Sequence, residues 1–220
     1  MNRTKTRLTR HAVVATTAAL VLAACEGGEG DTGTEQPSPS MSPSPSSRVP
    51  VPDGVELTEV GADLTFGDTA TVIFEPNQKR GSVLELTVRG ATKGRIKDFS
   101  SFVLDDYTRG STPYYVDVTV KNVGEGDVGG AAVPLWGVDA KNTLLPPASF
   151  TTTFRRCPSE PLPKKFGPDA THKTCLVFLA PDKGRMQAVS FRPNQAFDPI
   201  QWTGDITTPK PEPKKKGAKN

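Results

Sequence analysis

The nine residues Tyr114-Tyr115-Val116-Asp117-Val118-Thr119-Val120-Lys121-Asn122 constrain this chain most. Tyr114, Val116, Val118 and Val120 fall on one face, and Tyr115, Asp117, Thr119 and Lys121 on the other. A period of two is the repeat of a strand, and an apolar strand face has to be covered by a second layer. Leu84, Leu86 and Val88 alternate with Glu85, Thr87 and Arg89 in the same way, and both stretches predict half-buried antiparallel strands. Further strands are expected at 69–75, 133–140, 174–181, 185–193 and 199–202. The run Cys175–Ala180 is apolar on both faces, which predicts an interior strand of a sheet. Pro181-Asp182-Lys183-Gly184 predicts a tight turn with a hairpin about it. No stretch longer than about ten residues carries a helical stripe, so the expected fold is all-β, an antiparallel β-sandwich over residues 53–205. Some 150 residues are enough for one core burying roughly 70% of the unfolded surface.

The two ends of the chain are of another kind. Arg3, Lys5, Arg7 and Arg10 precede an apolar run from Ala12 to Ala24, the layout of a secretory signal, too short for the roughly 20 residues of a membrane-spanning helix. The run ends in Leu22-Ala23-Ala24-Cys25, which resembles the bacterial lipobox. That resemblance implies cleavage after residue 24, with Cys25 as the lipidated first residue of the mature chain and the protein held on the extracytoplasmic face of the cell membrane. Two acyl chains make such an anchor stable, at about 0.8 kcal/mol per buried methylene. Residues 25–52, rich in Gly, Ser and Pro, read as the lipidated cysteine and a disordered linker that would hold a domain away from the membrane. Residues 206–220, with five lysines against one glutamate, read as a disordered basic tail. Its sharper reading is contact with anionic lipid or wall polymer.

Processing also changes the charge. The full chain carries 27 Lys and Arg against 24 Asp and Glu, net +3. Residues 1–24 hold four of the basic groups and no acidic one, so the mature chain has 23 against 24 and nucleic acid is not an expected partner. Of three cysteines, lipidation of Cys25 leaves Cys157 and Cys175, which in an exported protein most simply pair with each other.

Candidate chemistry is sparse, and we expect neither catalytic residue, cofactor nor metal. His172 and Cys175 would suit a nucleophile pair, but a disulfide sulfur is no nucleophile. Zinc on Cys157, His172 and Cys175 lacks a clear fourth ligand. The 124–130 turn, GEGDVGG, lacks the staggered oxygens of a calcium loop. Asp105 and Asp106, read as strand neighbours, would point to opposite faces and not flank one bond. What remains is a contact surface near the cysteine-closed loop: Phe154, Arg155, Arg156, Lys164, Lys165 and Phe166, with Pro146, Pro147 and Phe150 beside them. Its plainer alternative is that the phenylalanines are core and the basic groups merely solvated.

The strand Tyr114–Asn122 with its following glycine-rich turn, then Cys157, then Cys175-Leu176-Val177-Phe178-Leu179-Ala180-Pro181, then Ile200-Gln201-Trp202, resembles the immunoglobulin-like domain of the actinobacterial immunoprotective extracellular protein family. The resemblance covers Ser82 to Trp202 and implies an immunoglobulin-like sandwich outside the cell, used for binding. It carries no catalytic residue across. The cysteines stand only 18 positions apart, so the expected bond pins a loop to a strand, unlike the cross-core bridge of antibodies, and Trp202 does not match the antibody tryptophan. The function expected is therefore a lipid-anchored envelope protein whose domain binds another protein or a wall polymer. The alternatives are an accessory subunit or chaperone of an envelope enzyme or transporter and, behind it, a hydrolase.

Overall fold

The computed structural model describes residues 48–209. The signal segment, Cys25, the linker up to residue 47 and the tail from residue 210 lie outside the described residues. Ten strands build the domain: β1 (Asp63–Thr65), β2 (Thr69–Asn77), β3 (Arg80–Lys93), β4 (Thr112–Asn122), β5 (Trp136–Asp139), β6 (Leu144–Leu145), β7 (Thr171–Ala180), β8 (Met186–Phe191), β9 (Ile200–Thr203) and β10 (Ile206–Thr207). A 3₁₀ turn (Ile96–Phe99) and a short helix, α1 (Asp106–Gly110), lie between β3 and β4. One sheet runs β1-β9-β8-β5-β6; the other runs β10-β3-β4-β7, with β2 also on β3. The two pack face to face as an immunoglobulin-like β-sandwich.

The alternation of the sequence becomes the core. Val116, Val118 and Val120 of β4 point inward with Leu84, Leu86 and Val88 of β3 and Leu176 and Phe178 of β7, against Val189, Phe191, Ile200 and Trp202 of the opposite sheet. The Trp202 indole N–H donates to the Asp68 carbonyl at 3.0 Å, which satisfies its polar handle inside the core. β3 runs past Val88 because a bulge at Arg89 shifts the register, pairing Val88 with Val118 but Gly90 with Asp117. One extra residue swaps faces, so Ala91 rather than Gly90 turns inward.

Four expectations need correction. β7 is an edge strand, not an interior one; its apolar outer face is covered by loops. The turn at 181–184 forms, with Gly184 N–H donating to the Pro181 carbonyl at 2.8 Å, yet it joins β7 of one sheet to β8 of the other and makes no hairpin. The strand expected at 133–140 shrinks to four residues. Ile206 and Thr207 are strand, pairing in parallel with Ala91 and Thr92, so the folded domain continues past residue 205. β1 likewise pairs in parallel with β9.

Candidate functional site

A sheet face not buried in the sandwich is normally wet, and β4 and β7 depart from this. On their outer face Tyr115, Cys175, Val177 and Leu179 carry a second apolar cluster made with Phe99, Phe102, Phe150, Phe154 and Cys157. The covering residues come from the connection 94–111 and from the first part, 146–159, of the connection between β6 and β7, which fold down over the sheet. Phe99 stacks on Phe154 at 4.6 Å between ring centres and on Phe150 at 6.0 Å, the offset contacts aromatic pairs favour. The Cys157–Cys175 disulfide, with Cα atoms 5.0 Å apart, ties the second connection to β7.

The same connection closes the β7 edge. Ala148 N–H donates to the Val177 carbonyl at 2.7 Å and Ser159 N–H to the Cys175 carbonyl at 2.8 Å. The Ser159 hydroxyl takes the Val177 N–H at 3.2 Å and donates to the Ala148 carbonyl at 2.7 Å. An edge strand whose groups are used this way offers little there for another chain to pair with.

A charged set sits at the rim of the cluster. The Asp98 carboxylate receives the Tyr115 hydroxyl at 3.0 Å and the Arg95 backbone N–H at 3.0 Å. Arg156 lies 3.5 Å from it and 5.9 Å from the centre of the Tyr115 ring. Burial first, and the neighbouring Asp98 second, hold the Tyr115 proton well above the ordinary tyrosine range. At exposed positions on the 94–111 connection stand Val103 and Tyr107.

The outward surface of the second connection holds a polar cleft of about 210 Å³, lined by segments 149–153 and 158–161. Its lining includes the hydroxyl-bearing residues Ser149, Thr151, Thr152, Thr153 and Ser159 and the acidic Glu160, with Phe150 and two prolines.

The expected contact surface comes apart in this fold. Phe154 and Phe166 are buried, Phe154 in the outer cluster and Phe166 in the main core, as the plainer alternative has it. Arg155, Arg156, Lys164 and Lys165 are exposed, and Arg156 is engaged with Asp98. Asp105 and Asp106 open α1 and are not strand neighbours: Asp105 accepts the Thr108 N–H at 2.7 Å, and Asp106 pairs with Arg109 at 2.7 Å. His172 and Cys175 lie on β7 an odd number of residues apart and so project to opposite faces. His172 Nε2 is occluded without a hydrogen-bond partner, and burial lowers its pKa against the opposing pull of Glu160. Among the described residues, no three His, Cys, Asp or Glu side chains stand close enough to hold a metal ion, and no helix is long and apolar enough to cross a membrane.

The outer layer and the cleft escape a reading by strand period because the residues that cover β4 and β7 come from connections without one. A signal was present: four of the ten phenylalanines, Phe99, Phe102, Phe150 and Phe154, fall in segments with no strand alternation.

No family model matches the chain, and no curated protein matches it. Among solved structures it is similar to MPT63, a secreted protein from Mycobacterium tuberculosis, at 13% identity and a TM-score of 0.46, over 67% of this chain and all of that one.

Proposed function

We propose that this protein is an extracytoplasmic binding module, held at the cell membrane by lipid on Cys25, whose immunoglobulin-like domain engages an envelope protein or wall polymer without catalysis. The observation that carries the proposal is the disulfide-tied outer layer. It stiffens two long connections on a sheet that already has a core, and on their outward side lie exposed Val103 and Tyr107 and a polar cleft. Rigid scaffolds presenting loops are the usual way such folds bind. A disulfide supports an oxidising compartment, and the Leu22-Ala23-Ala24-Cys25 stretch supports a lipid anchor.

The test is fractionation and intact mass of the wild type against Cys25→Ala, followed by sedimentation with isolated cell envelopes. The expected result is a membrane-bound chain beginning at Cys25 with diacylglycerol attached, and a purified domain that sediments with envelopes. A wild-type chain of unmodified mass that stays in the supernatant would refute the reading. Val103 and Tyr107, apolar and exposed on a braced connection, favour the accessory-subunit reading as second. Copurification with one envelope enzyme, lost on Val103→Ser with Tyr107→Ser, would single that reading out.

A further inference from the structure

The cleft over the disulfide-tied connection has a chemistry of its own. Phe150 and Phe154 turn into the aromatic layer, which leaves Thr151, Thr152 and Thr153 between them exposed. A serine or threonine hydroxyl offers one donor and two acceptor positions, and a carboxylate offers acceptors only. The three threonines and Ser149 are exposed and their hydroxyls are free to meet a ligand, while the exposed Glu160 carboxylate also acts on His172 through its charge. The lining holds no Lys, Arg or His, which disfavours a phosphate or other anion. Phe150, half-buried in the aromatic layer, also belongs to the lining. A volume of about 210 Å³ lies below the roughly 300 Å³ at which sites for drug-sized molecules begin and suits a single polyhydroxylated ring. The segment is fixed at both ends, by Ala148 on Val177 and by Cys157 and Ser159 on Cys175, so little ordering cost attends binding.

We infer that this cleft is a subsite for one unit of an uncharged glycan chain, with Thr151, Thr152, Thr153 and Glu160 hydrogen-bonding the hydroxyl groups of the sugar. The inference rests on the binding-module reading and gives its wall-polymer partner a chemical class.

The experiment is an NMR titration of the isotope-labelled full chain with two oligosaccharide probes, tetra-N-acetylchitotetraose and maltotetraose, and with trilysine as a cationic control. Saturable shifts confined to 148–161 with either sugar are expected. Affinity should fall about tenfold or more in Thr151→Ala/Thr152→Ala/Thr153→Ala and in Glu160→Gln. These side chains are exposed, so an unchanged melting temperature and an intact disulfide verify that the variants fold. The inference is overturned by an absence of shifts in this segment with both sugars, by shifts with trilysine alone, or by sugar binding that the variants leave intact. Envelope sedimentation separates it from the broader reading. If wild type and triple variant sediment equally, the glycan subsite is wrong and the binding module stands. If the wild type binds neither envelopes nor sugar, both fall.

Discussion

Asn122, at the end of β4, uses its whole amide. Its Nδ2 donates to the carbonyls of Gly126 at 2.7 Å and Phe166 at 2.8 Å, while its Oδ1 accepts from Ser82 Oγ at 2.6 Å and Gly124 N–H at 3.1 Å. Buried polar groups are tolerated when satisfied in this way. The glycine-rich turn folds onto that clamp because it has no side chains in the way: a Cβ at Gly126 would overlap the Gly81 carbonyl oxygen, and one at Gly124 would lie 2.5 Å from the Val83 nitrogen. We predict that Gly126→Ala destabilises the domain by about 3 kcal/mol, the cost of forced overpacking, measured by urea denaturation. A change below about 0.5 kcal/mol would show that the turn yields freely. The glycines were legible in the sequence as turn-formers. Their closeness to β3 was not, because the partner lies some forty residues away along the chain.

At the scale of elements, β7 shows how an accurate pattern can mislead. Its residues alternate, but both faces are apolar, and two sheet neighbours or one sheet neighbour plus a loop layer give the same pattern. The structure has the second arrangement, with the disulfide as its fastening. Replacing both cysteines in Cys157→Ala/Cys175→Ala is predicted to cost about 3 kcal/mol, the loop-closure value for a span of this length. The loss should be local: hydrogen exchange should speed up in 146–159 and at the outer cluster, while the β3–β4 ladder stays protected. Uniform loss across both sheets would mean that the outer layer is part of the main core. The pairing itself was readable from cysteine parity; that it closes an aromatic layer was not, since Phe99 and Phe102 arrive from a connection on the far side of β4.

For the whole molecule, acid is the perturbation that reaches every turn at once. Asp68 is held below its ordinary pKa by hydrogen bonds from Thr65, Asp105 by those from Thr108, Asp127 by those from Phe166 and Gly129, and Asp139 chiefly by that from Thr143. A carboxylate with a folded pKa below its unfolded value of about 3.9 contributes fully above that pH, and the contribution is lost as pH falls through the folded value. His172 is also lowered, so protonation favours the unfolded chain below about pH 6.5. The expected melting temperature is level above about pH 7, declines gently below 6.5, and drops steeply below 4. His172→Gln should remove the gentle step, and Asp127→Asn with Asp139→Asn should flatten the steep one. Curves unchanged in these variants would sink the assignment. By itself the sequence determined the all-β class, the strands that form the core and the cysteine pair, because period and parity are local and need no partner to be read. Only the tertiary structure decided which strand is an edge, which turn crosses between sheets, that Ile206 and Thr207 close β3, and that two connections build a second core with a hydroxyl-lined cleft. Those depend on which distant segments meet, and a two-residue period looks the same whichever layer covers it.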